Sequence, residues 1–178
     1  MNDALANMLL AGNTRFNTDL VASHIGTDEV LFEKLIQLMF TAESPLPERA
    51  AWVMSAVTDH YPWMINPFIH KVIIHLKHSD NFAFQRNTLR LFSKIELPEE
   101  MTGEIFDFCY KCFNDQKQPV AVRVHAMQIL FNISEKEPDL KPELALIIES
   151  HLENASTGFA NRAEKLLRKL SRFSKQNG

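Results

Sequence analysis

Four arginines divide most of the chain into segments of nearly equal length. Arg49, Arg86, Arg123 and Arg162 follow one another at spacings of 37, 37 and 39 residues. Each lies in the first turns of a helical apolar pattern, and each pattern is preceded by another helical stretch and a turn. Helix–turn–helix pairs repeated in this way are typical of an α-solenoid, in which neighbouring pairs stack to share a core. This periodicity constrains the fold more than any other feature of the sequence.

The segment 119–133 shows the pattern most clearly. A proline opens it, Arg123 follows in the first turns, and apolar residues then recur at helical spacing. Glycine occurs only five times and β-branched runs are short, which favours helix over sheet. Prolines and short polar turns separate about ten such stretches, with Thr18 and Asp28 as candidate caps of two of them. We therefore predict an all-α chain of about ten helices.

The segments that contain Arg86 and Arg123 resemble the HEAT repeat family. HEAT units typically place an aspartate in the turn between their two helices and an arginine early in the second helix, followed by small and apolar positions. Asp80 and Arg86 keep the usual six-residue separation, whereas Asp115 and Arg123 are eight residues apart. The other two units lack the aspartate.

The resemblance covers about residues 28–172 and extends to short bacterial HEAT-like proteins. The period lies at the short end of the range for HEAT and armadillo units, about 40–47 residues, and the motif of tetratricopeptide units is absent. In two of the units the apolar positions drift by about one residue. The resemblance implies a right-handed α–α superhelix, a HEAT-like solenoid, formed by a single domain over residues 1–178. Its expected parts are N-terminal cap helices in 1–26 and the repeat pairs 28–60, 63–95, 98–136 and 138–173.

The arginines of the repeat are expected to connect its units. A guanidinium group can donate to the carboxylate of a turn and to backbone carbonyls at the same time. A row of such groups would join the turn of one unit to the next unit. We therefore assign structural roles to the repeat positions Arg49, Asp80, Arg86, Asp115, Arg123 and Arg162.

Three cations on one predicted helix form the first candidate surface for a partner. Arg86, Arg90 and Lys94 follow one another at four-residue intervals and therefore share one helix face. Because second helices often line the inner curve of a solenoid, this stripe could meet an acidic partner or phosphates. The simpler interpretation is a solvated face that includes one structural arginine.

Trp63 is the second candidate for contact with a partner. It stands between Pro62 and Met64 at the start of a predicted helix, where we expect partial exposure. Together with Tyr61 it could form a hydrophobic contact site. An anchor inside the turn is the alternative interpretation.

Two further patterns are interpreted as ordinary structure rather than chemistry. Cys109 and Cys112 have CxxC spacing, but both fall late in a helix on its apolar stripe, so we interpret them as core residues. His75 and His78 lie one turn apart with Asp80 close behind, which could be a surface metal site. Without a fixed third ligand a solvated polar face is the better interpretation. We predict no metal, cofactor or catalytic residue.

Function is predicted mainly from what the sequence lacks. No set of nucleophile, base and orienting residue and no glycine-rich phosphate loop is found, so we predict a non-enzymatic scaffold or adaptor that binds a protein partner on its concave face. The alternative is a nucleic-acid-binding protein of the HEAT-like DNA glycosylase type, for which a formal net charge of −3 gives no global attraction. A lyase of the adenylosuccinate lyase type would need the loop Gly-Ser-Ser-x-Met-Pro-x-Lys, which is absent.

The remaining expectations concern the environment of the chain. Two cysteines cannot staple a domain of 178 residues, no secretory signal is visible, and the apolar runs are shorter than the roughly 20 residues of a membrane span. We expect a cytoplasmic protein without membrane contact, for which nucleic acid is not the expected partner. We expect it to be a monomer or a weak dimer.

Overall fold

Helices make up all the regular secondary structure in residues 3–153 and 155–174, the part of the chain that the computed structural model describes. Short 3₁₀ segments at Pro62–Phe68, Glu99–Met101 and Pro138–Leu140 precede three of the α-helices. The α-helices are α1 Ala4–Leu10, α2 Arg15–Ile25, α3 Glu29–Thr41, α4 Leu46–His60, α5 Ile69–His78, α6 Phe82–Phe92, α7 Thr102–Asn114, α8 Val120–Lys136, α9 Lys141–Ser150 and α10 Thr157–Ser174. The prediction of an all-α chain with about ten helices is confirmed.

The chain forms two compact units, Met1–Ile95 and Glu96–Gly178. The first unit contains α1 to α6, and the second contains α7 to α10. The predicted boundaries of a single domain and of its repeat pairs stay predictions.

Side chains that accept hydrogen bonds from free backbone N–H groups fix where several helices begin. Asp28 accepts from the N–H groups of the second and third residues of α3, at 2.9 and 3.0 Å, and Asn81 caps α6 in the same way at 3.0 Å. The cap of α2 is Thr14, whose hydroxyl accepts from the Asn17 N–H at 3.1 Å. The prediction that Thr18 caps this helix is wrong, because Thr18 is a buried residue inside it.

Helix α4 is the centre of the first unit. It packs against α1, α2, α3 and α6. A helix with so many neighbours needs short side chains, which let the backbones approach closely while longer ones fill the gaps. Its buried residues fit that requirement: Ala50, Ala51, Val53, Met54, Ser55, Ala56, Val57 and Thr58.

Aromatic rings join α3, α5 and α6 on another side of the first unit. The ring of His75 in α5 lies 4.9 Å from the ring of Phe40 in α3 and 5.0 Å from that of Phe84 in α6. Burial, together with the neighbouring His78, lowers the pKa of His75 below its ordinary value of 6.5. The neutral imidazole therefore serves here as a packing group.

In the second unit α8 has the central position and packs against α7, α9 and α10. Eight of its residues are buried, among them Ala126, Met127 and Leu130. Phe113 of α7 and Phe159 of α10 stack with their ring centres 6.0 Å apart. The second unit is thus held by a long central helix and by aromatic contacts between its neighbours.

No helix in the described part of the chain combines the length and the apolar character needed to cross a bilayer.

We predict that acid destabilises the first unit through His75. Its pKa is lower in the folded chain than in the unfolded chain, so unfolding takes up a proton as the pH falls through the ordinary value of 6.5. The substitution His75→Phe should therefore make the loss of stability between about pH 7.5 and about pH 5.5 smaller. Urea unfolding followed by tryptophan emission measures this unit, because both tryptophans lie in it.

His24→Gln is the matched control for the removal of one histidine, since His24 is exposed on α2. An unchanged slope for His75→Phe would show that His75 does not link protonation to unfolding.

Candidate functional site

The 3₁₀ segment Pro62–Phe68 turns one large apolar side chain outward. Pro62 opens the segment and fixes its first φ angle, and Met64 and Ile65 bury their side chains beneath it. Trp63 points away from them and remains 54% exposed. The ring centres of Trp63 and Tyr61 lie 5.5 Å apart in an edge-to-face arrangement, which orients the indole. Trp63 therefore offers a large apolar side chain in a defined orientation at the surface.

A surface cavity lies beside Trp63, between the 3₁₀ segment and α3. Its volume is about 320 Å³. The walls are mostly apolar, and Val30, which contributes from α3, is itself 76% exposed. We call this feature the Trp63 cleft; its lining is Glu29, Val30, Phe32, Glu33, Trp63, Met64, Pro67 and Phe68. The cleft combines exposed apolar surface with a concave shape, which single exposed apolar residues do not offer.

The charges in the lining of the Trp63 cleft are negative. Glu29 and Glu33 stand one turn apart on α3 and are exposed. Glu29 lies in the first turn of α3, where attraction to the helix dipole favours an acidic residue. Glu33 lies one turn further along, where the dipole no longer explains its charge. Lys34, the next residue of α3, forms an ion pair with Asp3 at 3.0 Å.

The predicted cationic stripe on α6 has a partner inside the first unit. Arg90 donates to a carboxylate oxygen of Asp59 in α4 at 2.5 Å and to the hydroxyl of the buried Ser55. Lys94 binds the other carboxylate oxygen of Asp59. The prediction that all three cations share one helix is wrong for Lys94, because α6 ends at Phe92 and Lys94 lies in the turn that follows. Burial acts to raise the pKa of Asp59, but the hydrogen bonds and charges of Arg90 and Lys94 outweigh it and lower that pKa. Arg90 therefore joins α6 to α4, and Lys94 joins the turn after α6 to the same carboxylate.

The third cation of the stripe, Arg86, is exposed, and so is Asp80. Within the described residues no hydrogen bond or ion pair joins these two side chains. The neighbouring residue Gln85 is buried, and its amide donates to the Ser79 carbonyl at 2.6 Å. In this unit Gln85, one position before Arg86, therefore donates the hydrogen bond to the C-terminal end of α5.

The other three repeat arginines have different partners. Arg49 donates to the Leu9 carbonyl in the last turn of α1 at 3.0 Å. Arg123 donates to the Phe113 carbonyl at the end of α7 at 3.0 Å, and its guanidinium lies 4.8 Å from the ring of Phe159. Burial lowers the pKa of Arg123, and this effect outweighs the negative charge of Asp115, which acts to raise it. Arg162 differs again, because it donates to a side-chain oxygen.

The acceptor of Arg162 is the amide oxygen of Gln128 in α8, at 2.5 Å. Asp115, the predicted turn aspartate of the third unit, accepts instead from the Lys117 N–H at 2.9 Å. Its carboxylate therefore shapes the turn between α7 and α8.

The two cysteines lie in the core of the second unit. Both are buried on α7. Burial raises the pKa of Cys109 well above its ordinary value, and burial together with Asp115 raises that of Cys112 to about 11. The thiols are therefore neutral packing groups at physiological pH.

The two histidines of the predicted pair lie in different environments. The ring of His75 packs between two phenylalanines, while His78 is exposed. In residues 3–153 and 155–174 no group of three or more His, Cys, Asp or Glu side chains is arranged to hold a metal ion.

Sequence reasoning identified Trp63 but missed the α3 side of its cleft. Val30 is 33 positions earlier in the chain, and its exposure depends on how α3 packs. A helical wheel of α3 offers one signal, because Val30 lies off the face occupied by the buried Phe32, Leu35 and Ile36.

A model of the HEAT repeat domain matches residues 5–170. No curated protein and no solved structure matches the chain.

We predict that the contact of Arg90 with Asp59 contributes measurably to the stability of the first unit. These side chains are only 29% and 21% exposed, so a double-mutant cycle with Arg90→Gln and Asp59→Asn should give a coupling energy of about 1–2 kcal/mol. Urea unfolding followed by tryptophan emission measures it.

The matched control is the ion pair of Arg15 with Asp19 on α2, whose side chains are 66% and 48% exposed. Its cycle should give a clearly smaller coupling energy, because water and salt screen an exposed pair. Equal coupling in the two cycles would mean that the α6–α4 contact is an ordinary surface pair.

We also predict that both thiols are inert in the folded chain. With a pKa of about 11 for Cys112, only about one thiol in a thousand is ionised at pH 8, and burial blocks the reagent as well. Titration with an aromatic disulfide should be slow in buffer and complete within the mixing time in urea. Fast reaction of either thiol in buffer would contradict the core assignment.

Proposed function

We propose, because this chain belongs to the HEAT repeat domain family, that it is a non-catalytic scaffold that binds a protein partner. Stacked helical pairs provide extended surfaces rather than enclosed reaction sites, and function in such folds resides in particular surface residues. The Trp63 cleft is the observation that carries the proposal.

Trp63 has the properties of a residue that dominates a protein interface. Tryptophan is enriched among the few residues that supply most of the binding energy at interfaces. Here its ring packs at a steep angle against that of Tyr61, and the side chain lines a concave, mostly apolar surface. Contact with a partner would remove Trp63 and Val30 from water, and that burial favours association.

The concave face expected from the sequence has less support within the first unit. Helix α4, the second helix of a predicted pair, is covered by α2 and α6 along its buried residues. Arg90 on α6 and Lys94 just beyond it form ion pairs with Asp59. We therefore assign the contact surface to the Trp63 cleft.

The same two contacts weaken the case for nucleic acid. A phosphate-binding stripe needs cations that face solvent, and phosphate would have to compete with Asp59 for Arg90 and Lys94. The net charge of −3 adds no attraction. Protein is accordingly the partner class that we propose.

We predict that Trp63→Ala weakens binding of the partner about thirtyfold, which corresponds to about 2 kcal/mol of lost binding energy. The partner would first be captured by cross-linking in a native lysate, identified, and purified for titration calorimetry. Because Trp63 is half exposed, the substitution should change the free energy of unfolding by less than about 1 kcal/mol.

Phe16→Ala is the matched control, since Phe16 is an exposed aromatic residue on α2, outside the Trp63 cleft, and binding should stay within about twofold. Equal binding by wild type and Trp63→Ala would refute the site. Failure of repeated captures to return any reproducible protein would count against the scaffold proposal itself.

A further inference from the structure

The Trp63 cleft carries information about the chemistry of what it binds. Its charged lining residues, Glu29 and Glu33, have the same sign. Lys34, the cation nearest to them along the chain, is held at Asp3. An apolar ligand that brought an acidic group to this rim would meet two carboxylates, whereas a basic group would be attracted to both.

The indole ring adds a second preference for positive charge. The face of tryptophan is the most favourable aromatic surface for a cation, and guanidinium groups stack on it more often than ammonium groups do. Trp63 is 54% exposed and lines the same cleft as Glu29 and Glu33. Arginine satisfies both features, because it can stack on the ring and donate two hydrogen bonds to a carboxylate.

The size of the cleft limits the rest of the ligand. A volume of about 320 Å³ lies at the lower end of the range for small-molecule pockets, about 300–1,000 Å³. The apolar wall formed by Val30, Met64 and Pro67 offers room for one or two aliphatic or aromatic side chains. These properties fit a side-chain anchor on a peptide segment better than a whole cofactor.

We propose that the Trp63 cleft binds a protein segment in which an apolar anchor residue is accompanied by arginine or lysine within about one helical turn. The anchor fills the space beside Val30 and Met64. The basic residue stacks on Trp63 and pairs with Glu29 or Glu33. This inference rests on the proposed function and specifies the partner class for the same site.

The test uses a library of random peptides displayed on phage and selected on the immobilised chain of 178 residues. The Trp63→Ala variant serves for counter-selection. Enriched peptides should combine a large apolar residue with arginine or lysine within four positions, with arginine the more frequent. A synthetic copy of an enriched peptide is then titrated into a Trp52→Phe variant, in which Trp63 is the sole tryptophan and reports binding by its emission.

The charge assignment is tested with the double reversal Glu29→Lys/Glu33→Lys. It should weaken binding of the basic peptide about tenfold, and raising the salt from about 0.05 M to about 0.5 M should weaken binding to the wild type as well. The matched control is Glu143→Lys/Glu149→Lys, which changes the net charge by the same amount at two exposed positions of α9. It should leave the affinity within about twofold.

The outcomes separate this inference from the proposed function. Peptides that require Trp63 but show no basic preference, or that bind the double reversal equally well, overturn the inference and leave the protein-binding proposal standing. A dimer of the chain that Trp63→Ala abolishes would make a second copy the occupant and also overturn it. If neither a peptide nor a captured protein depends on Trp63, both proposals fail.

Discussion

The constraint on which the rest of the structure depends is the burial of one helix in each unit by several neighbours. Helices α4 and α8 each pack against at least three other helices, so their apolar faces are completed only when those neighbours are in place. This is the physical reason why a helical pair of a repeat protein is not stable by itself. The polar contacts then connect the central helices to what surrounds them. Arg49 joins α4 to the end of α1, Asp59 joins it to α6, and Arg123 joins α8 to the end of α7.

The regular spacing of the arginines therefore corresponds to a shared position but to several kinds of bond. A helix ends with carbonyl groups that lack partners within the helix, and a long donor side chain on a neighbouring helix can satisfy one of them. Arg49 and Arg123 do this directly, whereas Gln85 does it in the unit where Arg86 turns outward. What the fold requires at this position is a hydrogen-bond donor of sufficient reach. A guanidinium group and a primary amide both meet that requirement.

The helical character of the chain could be predicted from the sequence because it is a local property, expressed in apolar periodicity and in prolines. The partners of individual side chains are not local. Asp59 meets Arg90 and Lys94 across more than thirty residues, and no spacing rule connects them.

The one-residue drift of apolar positions around Arg86 was visible, but which of two adjacent residues turns inward depends on packing against α5. Thr14 and Thr18 were equivalent as caps by residue type, and the choice between them depends on where α2 meets the core. The α3 side of the Trp63 cleft was missed for the same reason.

In the Trp63 cleft, the residues that would contact a partner are different from the residues that stabilise the fold. Its floor is rigid, because Phe32 and Phe68 lie with ring centres 5.9 Å apart and Met64 and Ile65 are buried beneath the 3₁₀ segment. A site held by buried neighbours loses little conformational freedom when a ligand arrives, so more of the contact energy appears as affinity. The side chains at the rim, Trp63, Val30 and Glu33, are mostly in water and can differ without opening a cavity in the core. Arg90 and Lys94 lack this freedom, since replacing either would leave Asp59 with one cation fewer. A contact surface that can change its specificity while the helical stack stays intact is therefore expected at the cleft and not on the stripe.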